Sequence, residues 1–93
     1  MTTRVVYSRR AAAEVEEITA SLAEISPLSA DRFSQALARA ERQLADFPNS
    51  GVPGRLPGTR RLIVGNYIVS YRRRGVHVEI FSVRDARRRD AGD

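Results

Sequence analysis

The chain has 93 residues, 16 basic side chains against 11 acidic ones, a formal charge of +5, and neither cysteine nor tryptophan. A chain of this length buries roughly 60 to 65% of the surface its unfolded form exposes, which predicts a single domain over residues 1–93 and excludes a full dinucleotide-binding sheet. Disulfide scaffolds, thiolate metal sites and thiol nucleophiles are excluded for want of cysteine, and no run approaches the roughly 20 apolar residues that span a bilayer.

The N-terminus, Met1 to Tyr7, lacks the apolar run of a signal peptide, so a cytoplasmic location is expected. Thr3 to Tyr7 reads as a short β-branched and aromatic strand, and Ser8 is a natural N-cap for the segment that follows. From Arg9 the apolar residues Ala11, Val15, Ile18, Leu22 and Ile25 recur at spacings of 4, 3, 4 and 3, one face of an α-helix. Ser26-Pro27 breaks that pattern, with Ser26 able to cap and Pro27 suited to the first turn of a new helix. Phe33, Leu37, Ala40, Leu44 and Phe47 repeat the same spacing, so two amphipathic helices form a hairpin.

Pro48 to Gly58 holds three of the four prolines and three of the six glycines and reads as a loop. Beyond it the apolar period changes from 3.6 to 2. Arg60 to Val64, Tyr67 to Arg72 and Val76 to Val83 are expected strands, joined by Gly65-Asn66 and by an Arg73-Arg74-Gly75 turn. The fold class is therefore α+β, in the order β-α-α-β-β-β. One sheet face is apolar and takes the helices, while the other presents Ile68, Ser70, Arg72, His77, Glu79 and Phe81. Residues 84–93, with Arg84, Arg87, Arg88 and Arg89, read as a basic, fraying tail.

Charge is unevenly placed. Residues 1–54 carry six arginines and seven acids, residues 55–93 ten arginines and four acids. Every basic residue is arginine, which suits either a high-GC coding bias or selection for planar, forked donors. The basic half points to an anionic partner, nucleic acid or an acidic protein segment.

The segments "LADFPNSG", "GTRRLIVGNYIVSYR" and "VEIFSVRDARRR", following a strand and a helix hairpin, resemble the RelE/ParE superfamily of bacterial type II toxins, and among these the ParE-like toxins. The resemblance covers residues 4 to about 89; its most specific parts are Pro48 with Gly51, Gly58 with Arg60, Arg61 and Leu62, and the strand Tyr67-x-Val69-x-Tyr71-Arg72. It implies the helix-on-sheet fold above and one of two activities, ribosome-dependent mRNA cleavage or poisoning of DNA gyrase; fold alone does not choose between them.

Cleavage of RNA through its 2′-hydroxyl needs a base, a cation for the phosphorane charge and an acid for the leaving oxygen. The resemblance implies that nuclease members carry an Arg after the first Tyr of "NYIVSY", where this chain has Ile68, and a His or Tyr in the C-terminal segment, where it has neither. Its own candidates are His77 and Glu79, side by side on one strand face about 7 Å apart, together with Arg72. They read either as an acid/base pair or as solvated residues of an open sheet face. One histidine without a second ligand makes no metal site, and no cofactor is expected.

The ParE-like resemblance implies a gyrase inhibitor without catalysis, held inactive as a hetero-oligomer with a ParD-like cognate antitoxin. It also implies that the C-terminal region meets the target, which places Arg84, Arg87, Arg88 and Arg89 there, against an acidic protein groove or enzyme-bound DNA. Direct nucleic-acid binding is a secondary expectation, and no membrane partner is expected. The antitoxin segment, disordered until bound, is expected on Ile68 and Phe81 edged by Arg61 and Arg72, unless Phe81 merely packs under the tail. Two rivals stand beside this reading: an mRNA endonuclease working through His77, Glu79 and Arg72, and a small basic binding module without toxic activity.

Overall fold

Serine caps set the helix boundaries. The Ser8 hydroxyl accepts from the Ala11 N–H at 3.1 Å and starts α1 (Arg9–Ile25). Ser26 closes that helix by donating its N–H to the Leu22 carbonyl and opens α2 (Pro27–Asp46) by accepting from the N–H groups of Leu28 and Ser29, with Pro27 in the first turn where no donor is missed. The computed structural model describes residues 3–87, and its remaining elements are β1 (Arg4–Tyr7), β2 (Val52–Pro53), β3 (Thr59–Val64), β4 (Tyr67–Arg74) and β5 (His77–Asp85).

The strands form one sheet in the order β1-β5-β4-β3-β2, with β1 parallel to β5 and the other pairs antiparallel. The α1–α2 hairpin carries the chain from β1 across one sheet face. Ala11 of α1 and Phe33, Leu37, Ala40 and Leu44 of α2 are buried against Val64, Val69, Tyr71, Val78, Ile80 and Val83. Leu44, Val69, Val78 and Ile80 are fully buried, so the core centres between the helix hairpin and the central strands β4 and β5. β1 is fastened to α2 as well, by the Thr3 N–H on the Ala45 carbonyl at 2.8 Å and the Tyr7 hydroxyl on the Glu41 carboxylate at 2.6 Å.

The structure revises several sequence expectations. The C-terminal end of each apolar stripe is exposed: Phe47 caps α2 with φ −133° and ψ 74°, where the chain has left the helical period, and Ile25 borders an open groove. The loop contains β2, paired with Arg60 and Arg61; its Pro53 is tolerated because the strand is an edge with no neighbour on its other side. Arg73 and Arg74 are paired strand residues, facing Val78 and His77, and the turn is Gly75-Val76, closed by Gly75 at φ 60°. Val76 is therefore an exposed turn residue and not the first apolar residue of β5.

The tail also begins later than expected. β5 continues through Asp85, Arg84 is half-buried, and the Ala86 N–H donates to the Asn66 carbonyl at 2.7 Å. Arg88, Arg89 and the residues after them lie outside the described residues.

Candidate functional site

Cross-strand register decides what each sheet face presents. Val69, Tyr71, Val78, Ile80 and Val83 point to the helices, so Arg61, Ile63, Ile68, Ser70, Arg72, Arg74, His77 and Glu79 share the outer face, joined by Arg4 and Val6 of β1. A bulge pairs Ser70 with Ser82 and Tyr71 with Ile80, leaving Phe81 unmatched, and it keeps Phe81 on the outer side next to Ser82. The expected outer-face set is thus brought together, with one difference. Ser70 is only 1% exposed, a short side chain at the sheet centre below the longer Arg61, Arg72 and Phe81 around it.

Electrostatically, the centre of this face is the Glu79 carboxylate. Arg72 Nε donates to it at 3.1 Å, Arg74 approaches at 3.7 Å, and the Arg72 guanidinium also lies 5.2 Å from the centroid of the Phe81 ring. Glu79 is turned to these arginines, while His77, two residues away on the same strand, has its Nδ1 buried without a hydrogen-bond partner among the described residues. Arg61, opposite Ser70, likewise has a buried Nε without a partner. Among the described residues no group of three or more His, Cys, Asp or Glu is gathered to hold a metal ion, and no helix is long and apolar enough to cross a membrane.

On the other side of β3, Arg60 is structural. Its guanidinium donates to the Gly51 carbonyl at 2.7 Å, and the Gly51 N–H donates to the buried Tyr71 hydroxyl at 2.9 Å. A Cβ on Gly51 would stand 2.6 Å from the Arg61 carbonyl oxygen and 2.7 Å from the Tyr71 hydroxyl. Gly51, Arg60 and Tyr71, which lie far apart in the sequence motif, are one contact that fastens the proline-rich loop to the sheet.

The end of β5 is held from α1. β1 pairs with β5 only as far as Ile80, and past that point the open strand edge is met by Glu14, whose Oε1 accepts from the Val83 N–H at 2.9 Å. The same carboxylate pairs with Arg10 at 3.5 Å and Arg84 at 3.8 Å. Arg87 is exposed and clamped by Asp85, which takes its backbone N–H at 2.9 Å and its guanidinium at 2.8 and 3.0 Å; the clamp raises the Arg87 pKa further. Burial, and secondarily the Asp85 charge, raises the Tyr67 phenol. A groove of about 440 Å³ runs between α1 and this end of β5, with Ile18, Leu22, Ile25 and Tyr67 on its apolar side.

Of the expected target-facing arginines, Arg84 and Arg87 therefore flank this groove, and Arg88 and Arg89 lie outside the described residues. Sequence reasoning missed three contributors. Glu14 gave no signal beyond its place near a helix N-terminus, and Arg4 none at all, because its neighbours depend on β1 lying beside β5. Arg74 was hidden by its assignment to a turn.

The family described as "ParE toxin of type II toxin-antitoxin system, parDE" matches residues 5–90. A curated protein of Sinorhizobium fredii, "Putative toxin Y4kP", is 35% identical over 71 residues, 74% of this chain and 74% of that protein. The solved structure "Chromosomal ParDE TA system from P. aeruginosa" has the same fold, with a TM-score of 0.78 over 90% of this chain and 96% of the other at 22% identity.

Proposed function

This chain belongs to the ParE family of type II toxins, and we propose that it arrests growth by inhibiting DNA gyrase without catalysing a reaction itself. The observation that carries the reading is the state of Glu79. Its carboxylate is bonded to Arg72 and approached by Arg74, and the buried His77 Nδ1 has no carboxylate partner for proton transfer among the described residues. Arg84 and Arg87, with Arg88 and Arg89 following in sequence, form the segment that meets the target, an acidic surface of the enzyme or the DNA it holds.

Neutralisation falls to the outer face of the sheet, where Ile68 lies in register with Arg84. Ile68, in register with the exposed Ile63, and Phe81 offer an apolar strip edged by Arg61 and Arg72, suited to an acidic, apolar antitoxin segment that folds as it binds. The resulting partner is a ParD-like antitoxin in a hetero-oligomer.

A supercoiling assay tests this directly, with purified gyrase, relaxed plasmid, ATP and the toxin with or without antitoxin. Loss of supercoiling with accumulation of cleaved plasmid, reversed by antitoxin, is the expected result. A folded protein that arrests growth but leaves gyrase untouched would refute it and return the weight to mRNA cleavage through His77, Glu79 and Arg72.

A further inference from the structure

Charge divides by layer in this molecule. α1 and α2 carry five arginines and seven acids, whereas the five strands carry seven arginines and two acids. Among the strand arginines, Arg60 is engaged with the loop on the helix side, but Arg4, Arg61, Arg72 and Arg74 stand on the outer face, where Glu79 is the one strand acid among the described residues. The helices thus present a net negative layer and the exposed sheet a net positive one. A long-range field of this kind draws polyanions to one side of the protein.

Positions within the face add geometry to the charge. Arg4, His77 and Arg74 are consecutive partners across β1, β5 and β4, so they form one row with neighbours about 5 Å apart. Arg72 stands two residues from Arg74 on β4, and its guanidinium lies against the Phe81 ring. Arginines flanking a histidine, beside a partly exposed aromatic ring on an open sheet face, have the parts that hold a single nucleic-acid strand: phosphates on the arginines and a base stacked at the Arg72–Phe81 pair. A duplex is the poorer fit, since reading it needs a helix or ribbon to enter a groove and this face projects neither.

We propose that the Arg4–His77–Arg74 row, with Arg72 and Phe81, is a binding site for single-stranded nucleic acid. Arg72 and Phe81 also belong to the surface assigned above to the antitoxin, so the site is available in the free toxin; the inference does not rest on the gyrase reading. Glu79 weakens the site by sharing its charge with Arg72 and Arg74.

The test is fluorescence anisotropy of a labelled oligo-dT with the full chain, free of antitoxin, as salt is raised. Three phosphate contacts give a slope of log K against log salt of about −2. Arg72→Ala with Arg74→Ala should weaken binding about tenfold and flatten the slope to about −0.7. Glu79→Gln should tighten binding about threefold by unmasking both arginines. The double variant Arg32→Ala with Arg39→Ala removes the same charge from exposed positions of α2 and should change affinity by less than about twofold. Absence of binding at low salt would overturn the proposal, as would equal losses from the two double variants, which would reduce it to bulk charge. Tighter binding of a duplex of the same length would overturn the preference for a single strand.

Discussion

Replacing Gly51 with alanine probes the contact that joins the proline-rich loop to the sheet. The new Cβ would fall 2.6 Å from the Arg61 carbonyl oxygen, a backbone atom of β3, and 2.7 Å from the Tyr71 hydroxyl. Neither neighbour is free to retreat, because Arg61 is paired with Val52 and Ser70 on its two sides and Tyr71 is 1% exposed. Overpacking of this kind costs about 1 to 3 kcal/mol. Loss of the buried hydrogen bond from the Gly51 N–H to Tyr71 adds about 1 to 3 kcal/mol, and the smaller entropy of the unfolded alanine chain returns about 0.4 to 1 kcal/mol. The net expectation is a loss of about 1 to 5.6 kcal/mol, against a total stability of about 5 to 14 kcal/mol for a chain of this size. Urea and thermal unfolding followed by far-ultraviolet circular dichroism would measure it, since the chain has no tryptophan. A fall in Tm of about 4 °C or more is expected. Tyr71→Phe separates the two contributions, because it removes the hydroxyl without adding bulk and should cost about 1 to 3 kcal/mol. Combining the two substitutions should cost less than their sum, since the phenylalanine relieves one of the clashes. A Gly51→Ala loss below about 1 kcal/mol would show that the loop is not held to the sheet in this way.

Four further outcomes follow from the same structure. Leu44→Ala, at a fully buried position, should destabilise by about 2 to 5 kcal/mol, and Leu22→Ala, on the partly open groove, by distinctly less; equal losses in urea titrations would contradict the placement of the core. Glu14→Ala leaves the Val83 N–H without its acceptor and should cost about 1 to 3 kcal/mol, with faster amide exchange at Val83 than at Val69; unchanged exchange would remove Glu14 from its role at the strand edge. Tyr7 is held protonated by burial and by its bond to Glu41, so its pKa lies above the ordinary tyrosine value, and stability present below about pH 10 should fall by up to about 1.4 kcal/mol per pH unit above it. Tyr7→Phe should reduce that alkaline slope, leaving the share of Tyr67, and an identical slope in the variant would refute the assignment. Ending the chain at Arg87 removes Arg88 and Arg89 while keeping β5 and the Ala86 bond to Asn66, so toxicity on expression should be relieved with antitoxin binding retained; full toxicity from this shortened chain would exclude the distal arginines as target contacts.

What the sequence determined by itself was local. The helix limits at Ser8 and Ser26, the apolar stripes and the Gly65-Asn66 hairpin follow from caps, periodicity and turn conformation, all of which act over a few residues. The outer-face set from Ile68 to Phe81 was legible for the same reason, because alternation along a strand needs no knowledge of the rest of the fold. Even there the β4–β5 turn was begun two residues early and the tail too soon, since arginine runs look like loop or tail until cross-strand pairing claims them. Tertiary structure alone decided the rest. Gly51, Arg60 and Tyr71 become one contact only when the loop folds back on β3, and Arg4 joins His77 and Arg74 only because β1 enters the sheet parallel to β5. Glu14 meets Val83 across 69 positions of sequence, at a strand edge that exists because β1 stops at Tyr7. Such contacts are set by strand order and helix crossing, which no local pattern encodes, and they fix which charges stand on the open sheet face and which are spent on holding the fold.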